Sequence, residues 1–179
     1  MPSTDAAVVD AFAEQVGVTG ATLHRCADLA AARAVVATIM STLAETEVPP
    51  AVAATEAAAG LLPDGVVPVT AGQRPPYLDL GVSTAELGVA ETGSLLLAPR
   101  SRWDRLLGIL ARVHVVAVAE GDVRASLDDL PAATRSISAP YVSLVTGPTR
   151  TADIERVITI GAHGPRALHV LLLAEPLHA

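Results

Sequence analysis

Lysine is absent from this sequence of 179 residues, in which all 12 residues counted as lysine or arginine are arginines. A Schiff-base lysine, a pyridoxal-phosphate lysine and the lysine of a phosphate-binding loop are therefore excluded, because each mechanism needs an amine or ammonium group at the site. The single cysteine, Cys26, can neither form an internal disulfide nor hold an iron–sulfur cluster alone. This cysteine usage is typical of a reducing compartment, and we expect a cytoplasmic protein.

Aromatic residues make up only 2% of the chain and charged residues 17%, whereas hydrophobic residues make up 51%. The core must therefore be aliphatic, and disorder is not expected. The net charge of −7 disfavours nucleic acid and anionic lipid as partners, because both bind clustered cations. No apolar run approaches the roughly 18 residues of a membrane helix, and the first residues lack a basic segment followed by an apolar one. We therefore expect neither export nor a membrane span.

The length fits one domain of ordinary size, and we predict a single domain over residues 1–179. In its N-terminal region, to about residue 45, the spacing of apolar residues predicts two helices, Asp5–Val16 and Asp28–Leu43, separated by a short strand over Ala21–Cys26. From about residue 46 onward, short apolar segments alternate with glycine and proline. We predict that this part, to residue 179, is an α/β core.

Unbroken apolar runs in the second half of the chain predict strands buried on both faces, at Ser94–Ala98, Val113–Ala119, Tyr141–Val145 and Leu168–Leu173. The stretches between these runs predict helices, over Trp103–Leu110, Leu127–Ala133 and Ala152–Ile158. Crossover helices between buried strands imply parallel pairing and an open, layered α/β sheet. Ser83 and Glu86 have the spacing of a capping box, which predicts a short helix before Glu91.

Several segments follow one another in an order that is characteristic of a known family: Gly81–Ala85, Ala90–Leu97, Val113–Val118, Thr146–Glu155 and Gly161–Val170. Together they resemble the LUD-domain family of lactate-utilisation proteins, in particular its small C-type members, over about residues 80–173. The resemblance implies a Rossmann-like open α/β sheet of the sugar-phosphate isomerase and CoA-transferase class, preceded by N-terminal helices.

The resemblance also implies a role as a non-redox component in the oxidation of L-lactate to pyruvate, beside partner proteins of which one carries iron–sulfur clusters. The composition agrees, because the chain has neither the cysteines nor the nucleotide-binding fingerprint for redox chemistry of its own, and we expect no cofactor in it. The chain departs from the family at one point. Where members carry Arg-x-x-Ser-Leu-Leu-Pro, it has Arg105-Leu-Leu-Gly-Ile-Leu-Ala111, with Gly108 at the place of the serine.

The segment from Thr146 to Asp153 is a candidate site for an anion. In open α/β sheets, ligands collect beyond the carboxyl ends of the strands, where loops lead into helix N-termini. A helix that begins near Thr149 or Thr151 would point free backbone N–H groups into such a cleft. Arg150 would add a planar cation suited to a small carboxylate or a phosphate. The expected ligand contacts in this segment are Gly147, Thr149, Arg150, Thr151 and Asp153.

A structural role is an equally good interpretation of this segment. Arg150 could pair with Asp153 or Glu155 instead of a ligand, while a threonine caps the helix. Both alternatives stay open on the sequence alone.

Glu91, followed by Thr92 and Gly93, is a candidate nucleophile. A carboxylate beside a glycine leaves room for a substrate, and in CoA transferases of the related fold a glutamate near a glycine is the nucleophile; this role is carried over by analogy of fold. The alternative, which we favour, is that Glu91 accepts backbone hydrogen bonds or pairs with an arginine. Thr92 and Gly93 are expected ligand contacts.

His163 is the strongest candidate for acid–base catalysis, because it lies in a glycine-containing loop and an imidazole titrates near neutral pH. The adjacent Gly164 is an expected ligand contact. His114 and His169 lie inside apolar runs and are expected to be hydrogen-bonded core residues. Together, Glu91, His163 and two nearby acids, Asp153 and Glu155, could in principle bind a metal. No compact ligand spacing supports this, and we predict no metal site.

Three functions remain compatible with the sequence. The chain could be a non-redox component of a lactate-oxidising system, a stand-alone isomerase or CoA-transferase acting on a small carboxylate or phosphate, or a ligand-binding regulatory or scaffold protein. The first is motivated by the resemblance and the second by Glu91, His163 and the expected anion site.

Overall fold

The computed structural model describes residues 5–44, 49–73, 77–148 and 164–177, and the backbone alone of residues 150–152 and 158–160. Its helices are α1 (Ala6–Val18), α2 (Leu29–Leu43), α3 (Arg102–Leu110) and the short α4 (Leu130–Ala133). Its strands are β1 (Thr22–Cys26), β2 (Val52–Ala54), β3 (Leu78–Thr84), β4 (Leu87–Val89), β5 (Ser94–Leu97), β6 (Ala111–Ala119), β7 (Val123–Arg124), β8 (Ser143–Val145), β9 (Arg150–Ala152), β10 (Ile158–Ile160) and β11 (Ala167–Leu173). Short 3-10 helices lie at Glu56–Leu61, Glu120–Asp122, Leu127–Asp129 and Thr134–Ser136.

The two N-terminal helices begin where the sequence predicts them, each at an aspartate cap. The side chain of Asp5 accepts a hydrogen bond of 3.0 Å from the backbone of Ala7, and that of Asp28 accepts one of 2.7 Å from Ala31. An aspartate at this position satisfies a backbone N–H that the helix leaves without a partner. Both predicted helices are confirmed, as is the helix that begins near Trp103.

A five-stranded parallel sheet forms the centre of the molecule, with the strand order β1-β11-β6-β3-β2. The register places His114 on β6 beside Gly81 on β3 and Leu168 on β11. β6 and β11 are the unbroken Val/Leu runs of the sequence, and helices cover both faces of their sheet, as such runs require. The predicted open parallel α/β sheet is therefore confirmed.

Each face of this sheet has its own apolar layer, because successive side chains of a strand alternate between faces. On β11, Leu171 joins a buried cluster with Val36 of α2, whereas Leu172 joins a second cluster with Phe12 of α1. All four side chains have 0% exposure, and the full burial of one such side chain contributes about 1.5–3 kcal/mol. The two clusters hold the sheet between α2 on one side and α1 with a smaller sheet on the other.

The smaller sheet has four strands in the order β7-β4-β5-β8, and it corrects two strand predictions. The runs that begin at Ser94 and Tyr141 were expected in the buried parallel sheet, but β5 and β8 pair antiparallel in this second sheet. The connection from β4 to β5 is only the four residues Ala90–Gly93, and a parallel pair needs a crossover of a dozen or more residues. The short turn therefore makes β5 antiparallel to β4, and β8 pairs with the other edge of β5.

Two helix predictions are wrong. The capping box at Ser83 does not start a helix: Ser83 lies in β3, and its hydroxyl bonds to His114 instead of a helix N–H. The helix predicted over Ala152–Ile158 is also incorrect at both ends, because β9 and β10 pair antiparallel there. In each case, pairing between strands overrides a local propensity.

Among the described residues, no helix is long and apolar enough to cross a membrane. The predicted extent of the domain, residues 1–179, stays a prediction.

Candidate functional site

A cleft of about 920 Å³ opens at the carboxyl edge of the parallel sheet. One of its walls consists of the residues that follow or end parallel strands: Ala27 after β1, Thr55 after β2, Thr84 at the end of β3 and Glu175 after β11. This edge is where open α/β sheets bind their ligands, because loops and helix N-termini meet there. The size is within the range of sites that enclose a small organic molecule.

The opposite wall of the cleft is built by α3 and the smaller sheet and carries two arginines. Arg100 donates to a carboxylate oxygen of Glu86 at 3.1 Å and to the backbone oxygen of Ser138 at 3.2 Å, so its charge is largely used. The guanidinium of Arg105 lies 4.1 Å from the ring centroid of Tyr141. Among the described residues, no carboxylate forms a salt bridge with Arg105. Arg105 is therefore available to an anionic ligand group.

The side chains of Ser83 and His114 also line the cleft. Leu80 and Val82 of β3 point into the α2 cluster, so that Ser83 points to the opposite face, where it meets the imidazole of the neighbouring strand β6. Ser83 Oγ and His114 Nε2 are 2.8 Å apart, with the residues 4% and 2% exposed. Burial lowers the pKa of His114 to about 4, so its imidazole is neutral at pH 7.

Gly108 of α3 provides the space that the imidazole fills. A Cβ atom at this position would lie 3.2 Å from Cε1 and 3.5 Å from Nδ1 of His114. A residue larger than glycine would therefore press on the ring.

A second cavity of about 620 Å³ adjoins the cleft. Both are lined by His114, Gly108, Ile109 and Val145, so these residues form the wall between them. The second cavity extends toward the turn from Thr146 to Pro148 and reaches Pro165, next to Gly164. The imidazole therefore borders two compartments.

Glu91 does not line the cleft or the second cavity. Its Oε2 accepts hydrogen bonds from Ser126 Oγ at 2.9 Å and from the backbone of Leu127 at 3.0 Å. These bonds, the backbone one foremost, lower the pKa of the Glu91 carboxyl. The exposed carboxylate thus ties the turn after β4 to the 3-10 helix at Leu127–Asp129, as the structural alternative requires.

At Gly93 and Gly147, α1 or the residue after it fills the space into which a side chain would project. Both have positive φ angles, +64° and +73°. A Cβ atom at Gly93 would lie 2.8 Å from the backbone of Gln15, and one at Gly147 would lie 2.5 Å from the backbone oxygen of Thr19. No side chain fits at such distances, so each glycine permits a close approach of two backbone segments. The expectation of substrate space beside Glu91 is corrected accordingly.

A short line of hydroxyl groups connects these two turns. Thr92 Oγ1 donates to Ser94 Oγ at 2.7 Å, and Ser94 Oγ lies 2.6 Å from Thr146 Oγ1. Thr92 is therefore engaged with its own sheet.

The remaining predicted contacts lie at the edge of what the structure describes. Thr149, Asp153 and His163 lie outside the described residues, as does Glu155 of the conceivable metal set. Arg150 and Thr151 belong to β9, so no helix begins at Thr151. The anion site expected in this segment stays a prediction. Gly164 is half-buried. The meeting of Arg150 and His163 in one cleft stays a prediction.

The sequence interpretation missed the residues that line the cleft. His114 is indeed a buried, hydrogen-bonded core histidine as expected, but its place on the cleft wall was not foreseen. His169 also has a hydrogen-bonding partner, since its Nδ1 lies 3.0 Å from His24 Nε2 and the two rings stack with centroids 5.3 Å apart. One signal could have identified Ser83 and His114. Each is a polar residue in a strand whose neighbouring residues are mostly buried and apolar. Among the described residues, no group of three or more histidine, cysteine or acidic side chains could hold a metal.

Comparison with known proteins gives one family and one fold. Residues 9–173 match the model of the LUD domain. An uncharacterized protein of Neisseria meningitidis serogroup B is 30% identical over 99 residues, which cover 54% of this chain and 42% of that protein. Lactate utilization protein C of Bacillus licheniformis is 26% identical over 99 residues (52% of this chain, 41% of that protein), and that of Bacillus subtilis is 24% identical over 101 residues (52% and 42%). The matched part thus spans about two fifths of these relatives.

A solved structure shares the fold. The crystal structure of a DUF162 family protein from Deinococcus radiodurans superposes with a TM-score of 0.64 at 18% identity, covering 94% of this chain and 98% of that one. At this identity the likeness concerns the fold alone, and the chemistry of the site has to be argued from this chain's own residues.

Proposed function

Because the chain belongs to the LUD-domain family, we propose that it is a non-redox component of a lactate-utilisation system in the cytoplasm. In this proposal it binds a small carboxylate, L-lactate or the pyruvate formed from it, while an iron–sulfur partner protein receives the electrons. The names of two of its relatives support the process. The single cysteine supports the division of labour, since the clusters would have to lie on another chain.

The observation that carries this proposal is Arg105 on the wall of the cleft. A guanidinium binds a carboxylate through two parallel N–H donors, and here its plane already rests on Tyr141. The nearby Arg100, in contrast, already pairs with Glu86 and donates to the backbone of Ser138. A carboxylate on Arg105 would place the rest of the acid inside the cleft.

The volume of the cleft supports a shared site. Cavities of 300–1,000 Å³ enclose drug-sized ligands, so a three-carbon acid fills only a small part of about 920 Å³. In this proposal the remaining space admits a group that the partner inserts. The same volume is the one observation that favours the alternative function, a stand-alone isomerase or CoA-transferase with a longer substrate. The position of Glu91 outside the cleft is against that alternative.

Lactate-dependent dye reduction by the chain together with its co-purified native partners tests the proposal. We expect reduction to require this chain, and Arg105→Gln to raise the lactate concentration for half-maximal rate by about tenfold or more, since a charge-assisted hydrogen bond is lost. Arg102→Gln is the matched control, because Arg102 is an exposed arginine of the same helix that does not line the cleft.

Two results would count against the proposal. Equal dye reduction with and without the chain would remove it from the system. Turnover of an acyl-CoA or a sugar phosphate by the purified chain alone would establish the stand-alone enzyme instead.

A further inference from the structure

Ser83 and His114 stand out because buried polar groups are few. Among the described residues, the buried polar or charged side chains are Ser83, His114 and Ser94. Ser94 belongs to the line of hydroxyls in the smaller sheet, whereas the other two form one pair on the cleft wall. A buried polar pair in an aliphatic core is costly to keep unless each group is satisfied. Its position beside the cleft gives the pair access to a ligand.

The pair can present two different hydrogen-bonding faces. A neutral imidazole carries one proton, on Nδ1 or on Nε2. With the proton on Nδ1, Nε2 accepts the hydrogen of Ser83, and the serine oxygen is then free to accept from a ligand. With the proton on Nε2, that nitrogen donates to Ser83 Oγ, and the serine hydrogen is free to donate.

Nothing among the described residues fixes one of these two forms. The serine hydroxyl is the hydrogen-bonding partner of the imidazole there, through Nε2. The Nδ1 edge of the ring faces Gly108, which has no side chain to donate or accept. His114 also borders the second cavity, and either form can keep the hydrogen bond between Nε2 and Ser83 Oγ. The change of form therefore breaks no internal hydrogen bond.

We propose that the Ser83–His114 pair binds the C2 oxygen of the acid in both of its oxidation states, as the hydroxyl of a 2-hydroxy acid and as the oxo group of a 2-oxo acid. Ser83 contacts the ligand, and His114 is a positioning residue that sets the direction of the serine hydrogen. In this proposal the hydroxyl donates to Ser83, with Nε2 unprotonated, whereas an oxo group can only accept a hydrogen bond and so requires the proton on Nε2. This inference rests on the proposed function, because the carboxylate is taken to lie on Arg105.

Nitrogen NMR of the histidine side chains tests this directly, because protonated and unprotonated ring nitrogens have well-separated chemical shifts. The probes are L-lactate and pyruvate, each at saturation, added to the full chain labelled with 15N. We expect Nε2 of His114 to be unprotonated with L-lactate and protonated with pyruvate, with Nδ1 changing in the opposite sense. A merely structural histidine would keep one form throughout.

Variants of Ser83 separate a ligand contact from a packing effect. Ser83→Ala should weaken both acids by about tenfold, the usual effect of one lost hydrogen bond, and should make the form of His114 independent of the ligand. Ser83→Thr keeps the hydroxyl and should restore both properties. Ser41→Ala, which removes an exposed hydroxyl of α2 outside the cleft, should change neither.

The outcomes distinguish this inference from the function on which it rests. If both acids bind, and Arg105→Gln weakens them while His114 keeps one form, the pair is structural and the inference fails alone. If neither acid binds to the unsubstituted chain, the proposed function fails and the inference with it.

Discussion

Two regions of the molecule carry the polar residues, and they differ in what those residues do. The turns at Gly93 and Gly147 combine glycine, threonine and charge, as many ligand sites do. At both turns, however, the glycine allows the smaller sheet to pack closely against α1 or the residue after it. The cleft at the carboxyl edge is lined by Ser83 and His114, which are hidden inside apolar runs, and by Arg105 on an unremarkable helix. The comparison teaches that a conspicuous motif can serve close packing, while strand register assembles the site.

Replacement of Gly93 by alanine should have the largest effect on stability, because it disrupts the close packing of this turn against α1. The new Cβ would lie 2.8 Å from the backbone of Gln15 at a φ of +64°, and we expect a loss of about 3 kcal/mol in the free energy of unfolding. Gly65→Ala is the matched control, since Gly65 has a φ of +82° with no atom near the new Cβ. It should cost only about 1 kcal/mol.

Urea unfolding of the two variants measures this difference. If Gly93→Ala were no more destabilising than Gly65→Ala, α1 would not approach the turn closely, and the glycine would again be available to a ligand.

Acidic pH should have the next largest effect on stability, because it protonates His114 on the wall of the cleft. The pKa of His114 is about 4 in the folded protein and near 6.5 when unfolded. The unfolded chain therefore binds more protons between these values, so stability is complete above pH 6.5 and is lost as the pH falls toward 4. Between pH 7 and pH 5 we expect a loss of about 2 kcal/mol. Burial also lowers the pKa of His24 and His169, which adds to the loss in the same direction.

Urea unfolding at the two pH values, with an NMR titration of the imidazole, checks this prediction. An imidazole of His114 that takes up its proton near pH 6.5 would show that it is not buried behind the cleft wall.

Replacement of Gly108 by alanine probes the wall between the two cavities. Alanine usually stabilises a helix by about 0.5–1 kcal/mol relative to glycine, and Gly17→Ala in α1, where no atom lies within 4 Å of the new Cβ, should show this gain. At Gly108 the new Cβ presses on His114 at 3.2 Å, so that we expect a stability lower by about 1 kcal/mol than that of Gly17→Ala. Thermal unfolding of both variants suffices, and equal gains would mean that the ring has other space.

Glu91→Gln should have the smallest effect. The side chain is exposed and keeps its two donors, Ser126 and Leu127, when the amide replaces the carboxylate. We expect a change within about 0.5 kcal/mol in stability and unchanged lactate-dependent dye reduction. If the variant folds normally but dye reduction is abolished, Glu91 takes part in the function and does not only hold the turn.

Much of the fold follows from the sequence for physical reasons. The apolar spacing and the aspartate caps of α1 and α2 are local signals, and the unbroken runs of β6 and β11 report burial on both faces. The pairing of β5 and β8 in a second sheet could not be predicted from their apolar residues, because similar residues are compatible with either sheet. The capping box at Ser83 failed because a hydrogen bond to β6, far away in sequence, outweighed a local one.

The site was harder to predict than the fold, because its residues come together only through register. His114 and Ser83 are 31 residues apart in sequence, and nothing in either segment shows that they face the same side. The space beside Gly108 is visible only once β6 lies under α3. A motif within one segment, such as Glu91-Thr92-Gly93, is visible in the sequence without any knowledge of the register.

The central claim is that this chain binds its ligand at the carboxyl edge of the parallel sheet and not at the glycine turns. Backbone amide NMR during a titration with L-lactate tests it most directly. The account predicts shifts at Ser83, Arg105 and Tyr141 that saturate together, with Glu91 and Gly147 unchanged. Shifts confined to those two turns, with the amides of the cleft residues unchanged, would contradict it.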